Sequence, residues 1–139
     1  MLTEKLGTPV LLIEVLPLRK GNELTLEFVK DDGVWRRGVL LMTNGVLEIN
    51  SVRDSQLTLW RDTAPTTVPV VCRSTKSGYL EMFNVWDRGK NIEFQRFHSG
   101  MIKRQVDAAT YEYRCMDSHP DPLIEDFDRF VFRLTVGGD

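Results

Sequence analysis

The 139-residue sequence predicts an all-β protein, an antiparallel β-sandwich of jelly-roll or immunoglobulin-like kind with about nine strands. Short runs alternate apolar and polar residues with the period of an extended chain. Turn signals built from Gly, Asn, Asp and Pro recur about every eight to twelve residues. No stretch keeps apolar residues at helical spacing for long, so any helix is confined to a turn or two, with Val106 to Ala109 the one place for it. Because many connections look like simple hairpins, an up-and-down β-barrel is the alternative.

Residues 1–7 read as a loose lead-in to a single β domain that takes up the chain, 1–139. Thr8 to Leu18 has apolar residues at both parities, the pattern of a strand covered on both faces. After the turn Arg19-Lys20-Gly21-Asn22, the residues Leu24, Leu26 and Phe28 alternate with Glu23, Thr25 and Glu27 as a half-buried strand. Lys30-Asp31-Asp32-Gly33 is a turn, because Asp-Gly tolerates positive φ. Val34 to Met42 follows, and Asn44-Gly45 predicts a hairpin turn back into Val46 to Asn50.

Gln56 to Trp60 is a short strand, and Arg61 to Thr67 a loop. Val68 to Arg73 is a strand in which Pro69 marks an edge or a start. Ser74 to Gly78 turns into Tyr79 to Asp87, and Arg88 to Asn91 turns into Ile92 to Phe97. The short piece Met101 to Gln105 precedes the closing hairpin. There Tyr111, Tyr113 and Cys115 share one face, as do Phe130, Phe132, Leu134 and Val136. A bend or bulge near Asp128 and Arg129 is expected, so that Phe127 turns inward and the carboxylates turn out.

One domain of this length is large enough for a real core. A formal charge of -2 gives no general basic footprint for nucleic acid. Basic residues gather at Arg36-Arg37, Arg88 with Lys90, and Lys103-Arg104, near Trp35 and Trp86, but they are interleaved with acids and the tryptophans alternate like core residues. Cys72 and Cys115 are too few for a disulfide framework and fall in strand-like runs, which makes them buried thiols, with a bridge as the alternative. The apolar run from Val10 to Leu18 is interrupted by Glu14, ended by Pro17 and too short to span a bilayer. The expectation is a cytoplasmic protein without membrane insertion.

The usual catalytic patterns are missing: there is no glycine-rich phosphate loop, no serine elbow, and no Cys-x-x-Cys or His-x-x-x-His pair. His98 reads as an exposed turn residue and His119 as a solvated loop residue among aspartates. Glu81 and Glu93 are candidates for an acid–base pair across a sheet, although a solvated polar face explains them more simply.

The acidic hairpin is the one concentrated feature. Asp117, Asp121, Asp126 and Asp128 place hard oxygen donors within a dozen residues, as a calcium ion requires, without the spacing or turn glycine of an EF-hand. The plainer reading is that these residues cap turns through their side chains.

Tyr113-Arg-Cys-Met-Asp117 followed by Asp126-Phe-Asp-Arg-Phe-Val-Phe132 resembles the closing hairpin of bacterial all-β domains that end in an acidic loop and an Asp-Phe-(Asp/Asn)-Asp-Φ-Val-Phe strand. The match covers about a sixth of the chain and puts Asp126, Phe127, Asp128, Val131 and Phe132 on the motif. Arg129 stands where an acid is expected, and a cation there works against calcium. The resemblance implies a β-sandwich with no established activity.

Two functional expectations follow. The first is a non-enzymatic binding or assembly module, joined to a protein partner or to its own copies, with a calcium ion at the rim as an addition. The second is a small β-barrel that holds an apolar ligand among Trp60, Phe83, Trp86, Phe94 and Tyr111.

Overall fold

The computed structural model describes residues 4–5, 8–89, 91–94, 99–117 and 127–137. These form strands β1 (Glu4–Lys5), β2 (Thr8–Pro9), β3 (Glu14–Pro17), β4 (Glu23–Asp31), β5 (Arg36–Ile49) and β6 (Val52–Trp60). They continue with β7 (Thr67–Thr75), β8 (Tyr79–Asp87), β9 (Ile92–Glu93), β10 (Gly100–Gln105), β11 (Thr110–Met116) and β12 (Phe130–Gly137). No helix occurs among the described residues. Val106 to Ala109 is a turn, closed by the Val106 N–H on the Thr110 carbonyl at 2.9 Å. No described helix is long and apolar enough to cross a membrane.

Apart from the small β1–β2 pair, the strands build one antiparallel sheet in the order β10-β11-β12-β4-β7-β5-β8-β3, with β6 beside β5 and β9 beside β8. The sheet curls into a half-barrel. Its order is not that of an up-and-down meander, because β4 lies between β12 and β7.

The curl originates in β5. Arg36 to Met42 pair with β8, whereas Gly45 to Glu48 pair with β7. The strands β7 and β8 therefore run one after the other along a single long strand. One arm continues through β4, β12, β11 and β10, and the other through β3. Their margins meet where Leu11 and Met101 exchange both backbone hydrogen bonds at 2.8 Å.

The Asn44-Gly45 turn expected from the sequence is not a turn. The chain runs straight through it, and the register slips between Met42 and Leu47 against β6 and between Val46 and Leu47 against β7. A Cβ on Gly45 would lie 2.1 Å from the Ser74 carbonyl oxygen, so glycine serves close backbone approach here. The hairpin turns five residues later at Asn50 and Ser51, both at positive φ (48° and 69°), the primed geometry that matches strand twist.

The half-buried strands came out as their alternation predicts. Leu24 and Leu26 are fully buried with Phe28 beside them, and they are opposite Val136, Leu134 and Phe132 on the neighbouring strand. Phe132 stacks on Tyr113 with ring centroids 5.0 Å apart. Phe127 is buried and the chain bends at Asp128 and Arg129, both as expected, and a further slip in register falls between Val131 and Phe132. Residues from both arms, including Leu16, Leu80 and Met82 from one and Leu26, Tyr113 and Phe132 from the other, form one continuous core.

The N-terminal run is not a single doubly covered strand. It breaks into β2, the lone bridge at Leu11 and β3, in which Glu14 and Leu16 point inward while Val15 and Pro17 point out. The inward Glu14 carboxylate accepts from the Tyr113 hydroxyl at 2.7 Å and pairs with Lys103 Nζ at 2.8 Å. That satisfies a charge which burial would otherwise penalise.

Candidate functional site

The base of the acidic hairpin closes on an arginine. Arg37 lies at the start of β5, and strand parity puts it on the same side as Val39 and Leu41, so it enters the protein with only 1% of its side chain exposed. Its Nε donates to Asp117 at 2.7 Å, and one terminal nitrogen donates to Asp31 at 3.2 Å and to Asp32. Burial works against the guanidinium charge, but Asp117 and Asp32 outweigh it and hold Arg37 above its usual pKa. Burial pushes the Asp117 carboxyl up, and Arg37 offsets part of that rise. Asp32 resists its own desolvation through the Val34 N–H and Arg37, and its pKa ends below the ordinary range.

Of the four aspartates proposed as metal ligands, Asp117 is thus the partner of Arg37. Asp128 is exposed and pairs with Arg114 at 2.5 Å. Asp121 and Asp126 lie outside the described residues, as do His98 and His119. Arg129 approaches Asp32 at 3.8 Å. Among the described residues no cluster of His, Cys, Asp and Glu has the arrangement of a metal site.

A second charged cluster crosses the outer face of the sheet. Arg104, Glu112, Arg133 and Glu27 are directly opposite one another on four successive strands. Glu112 is buried beneath arginines: Arg133 donates to it at 2.9 and 3.0 Å, and Arg104 and Arg114 approach its other oxygen at 3.3 and 3.4 Å. Desolvation raises its pKa, but Arg133 and Arg104 prevail and hold it low. Alternating charges in one row pin the register of the strands they cross.

The remaining candidates are dispersed. Glu81 is opposite Met42 and Val15, whereas Glu93 is opposite Trp86 and lies 3.6 Å from Arg88. Trp86 is fully buried, and Phe83 packs 5.3 Å from Phe94, which is half in water. Trp60 lies under Arg36 and Tyr111 under Lys103, each with the cation 4.2 to 4.3 Å from the ring. The five aromatics therefore do not surround one space. Trp35, expected in the core, is half-buried under Arg88 at 4.3 Å. Cys72 and Cys115 are both free and buried, and burial raises both thiols.

The edge of β6 carries no mark in the pattern of side chains. This nine-residue strand pairs with β5, and among the described residues no strand covers its other side. Arg61 N–H donates to the Arg37 carbonyl at 2.9 Å, which sets the parity of the ladder. Leu59 and Leu57 then bond to Val39 and Leu41, while the backbone groups of Gln56, Thr58 and Trp60 face away from β5. Part of this row is satisfied locally. The Gln56 N–H donates to Asp54 Oδ1 at 3.3 Å, and the Trp60 carbonyl accepts from Ala64 and Thr63 at 2.8 and 3.2 Å. What stays open between Gln56 and Trp60, among the described residues, is both groups of Thr58, the Gln56 carbonyl and the Trp60 N–H.

Compared with known proteins, the chain matches no family model, no curated sequence and no solved structure.

Proposed function

We propose that this half-barrel, whose arms enclose one core as the layers of a sandwich do, is a non-enzymatic binding or assembly module, and that its contact surface is the edge of β6. The observation that carries this reading is the open backbone row at Gln56, Thr58 and Trp60. A strand edge with unpaired donors and acceptors is a template for adding another strand. The side chains suit such a contact, since Leu57 and Trp60 are half-buried at the margin of the core and gain cover from an added strand. The likeness of the closing hairpin to bacterial all-β domains points to the same class. The calcium ion is not part of this reading, because Arg37 and Arg114 already serve as counter-ions to Asp117 and Asp128.

Photo-crosslinking amino acids placed at Gln56 and Thr58, with Glu27 on the outer face of β4 as control, test the proposal in cells. The expected result is protein adducts from the two edge positions, mapping by mass spectrometry to one extended segment. Equal yields from all three positions, or none, would overturn it.

A further inference from the structure

The open groups on β6 have a symmetry of their own. In an antiparallel pairing that puts Thr58 opposite Thr58 of a second copy, Gln56 falls opposite Trp60 of that copy. The central pair then makes two hydrogen bonds, Thr58 N–H to Thr58 carbonyl in each direction. The flanking pairs call for Trp60 N–H on the Gln56 carbonyl and for Gln56 N–H on the Trp60 carbonyl. The first kind of contact joins the donor and acceptor that are open. The second kind joins the donor and acceptor that Asp54 and the 61–64 turn have already taken. Between Gln56 and Trp60 every open group thus finds a partner, and every group lacking one is capped within its own chain.

We infer that β6 pairs with β6 of a second copy of this chain across a two-fold axis at Thr58, making one continuous sheet from two half-barrels. The inference rests on the assembly reading above and names its partner. A heterologous strand has no reason to match a pattern that is self-complementary about one residue, whereas an isologous dimer requires such a pattern. Side chains agree with the register. Leu57 meets Leu59 of the other copy on the core side, extending the apolar layer to which both belong. Gln56 meets Trp60 on the opposite side. The register also sets Asp54 against Asp62 of the other copy, and Arg36 already holds Asp62 at 3.0 Å from its Nε. Four backbone bonds and four leucines make a modest interface, so the dimer is expected to dissociate on dilution.

Three measurements on the full chain test this. Sedimentation over a concentration series should show a reversible dimer, and Thr58→Pro should raise its dissociation constant at least about tenfold, because proline removes an intermolecular donor without touching the β5–β6 ladder. Amide exchange at Thr58 and Trp60 in the wild type, which needs no substitution to fold, should be slow at high concentration and fast on dilution. Cysteine crosslinking reads the register directly. Opposed residues in a bonded antiparallel pair have Cα atoms about 5.5 Å apart, within disulfide range. Thr58→Cys should therefore crosslink to itself, while Gln56→Cys and Trp60→Cys should crosslink only when mixed with each other. The native thiols are buried and do not compete.

A dimer that survives Thr58→Pro, or whose Thr58 amide exchanges rapidly at high concentration, overturns the inference. So does a chain that stays monomeric at every concentration. If that monomer still yields adducts from the edge in cells, the binding module stands and only the self-pairing falls. If it yields none, both fall.

Discussion

Arg37 and Glu112 are near mirror images in charge. One is a cation among Asp31, Asp32 and Asp117; the other is an anion among Arg104, Arg114 and Arg133. Both are withdrawn from water, yet their partners are not alike. The Asp117 side chain is 7% exposed and Asp31 16%, whereas the three arginines around Glu112 are 35 to 61% exposed. If the central charge is lost, the aspartates remain in a poorly solvated pocket while the arginines can turn to water. Burial of the partners, more than the number of ion pairs, decides how much each cluster contributes.

The strongest way to break this comparison is Arg37→Met. It strands Asp117 as an unpaired buried charge, and the expected loss is about 3 to 5 kcal/mol in urea denaturation. Adding Asp117→Asn should recover part of that loss, because the stranded charge goes with it, and a double-mutant cycle reads the coupling. By contrast Glu112→Gln should lose only about 1 to 2 kcal/mol, since solvent takes over its arginines. The comparison is refuted if the Glu112 variant proves the less stable of the two.

Acid titration separates the clusters by sign. The Glu112 carboxyl is held below its ordinary value of 4.5 by Arg133 and Arg104 against desolvation. Its stabilisation is therefore complete above that value and is lost as the pH falls through the folded pKa. The Asp117 carboxyl is raised above 3.8 by burial, so the folded state takes up its proton first and gains relative stability as the pH falls. Thermal midpoints measured from about pH 6 down to about pH 3 should thus fall less steeply in Glu112→Gln than in the wild type, and more steeply in Asp117→Asn. Parallel curves would show that neither carboxyl titrates differently in the folded chain.

Much of the architecture was legible because alternation is a local signal. Leu24, Leu26 and Phe28, and Phe130, Phe132 and Leu134, announce their faces without knowledge of any partner. The same parity rule applied to Arg37 and Glu14 gives their true, inward placement, but a charge at a core position hid it. What could not be read locally is what depends on distant backbone. Gly45 looks like a hairpin residue until the Ser74 carbonyl is set 2.1 Å from its Cβ direction. The splitting of β5 between β7 and β8 depends on residues some twenty to fifty positions away, and so does the curl. For the acidic hairpin, composition was visible, but the guanidinium that answers Asp117 comes from eighty residues upstream. The open row on β6 was the least legible, since it depends on which backbone groups are left over after every other pair is made.

The smallest expected effect is no effect. Calcium requires several oxygens converging on one point with lone pairs to spare. Here Asp117 spends an oxygen on the Arg37 Nε at 2.7 Å, and Asp128 spends one on Arg114 at 2.5 Å, on a different strand. An entering ion would have to displace a guanidinium already in contact, leaving the buried Arg37 Nε without its Asp117 partner and only Asp31 and Asp32 to balance the charge. Millimolar calcium should therefore leave the melting midpoint within about 1 °C of that in sodium chloride of equal ionic strength. A rise of about 2 to 6 °C would mean that a bound ion stabilises the native state selectively. If Asp121→Asn with Asp126→Asn then abolished that rise while Asp117→Asn with Asp128→Asn did not, the ion would be held by the hairpin residues beyond the two arginine pairs. If Asp117→Asn with Asp128→Asn abolished it instead, the arginines would be shown to yield their carboxylates to a metal, and the account of Arg37 as a fixed counter-ion would fail.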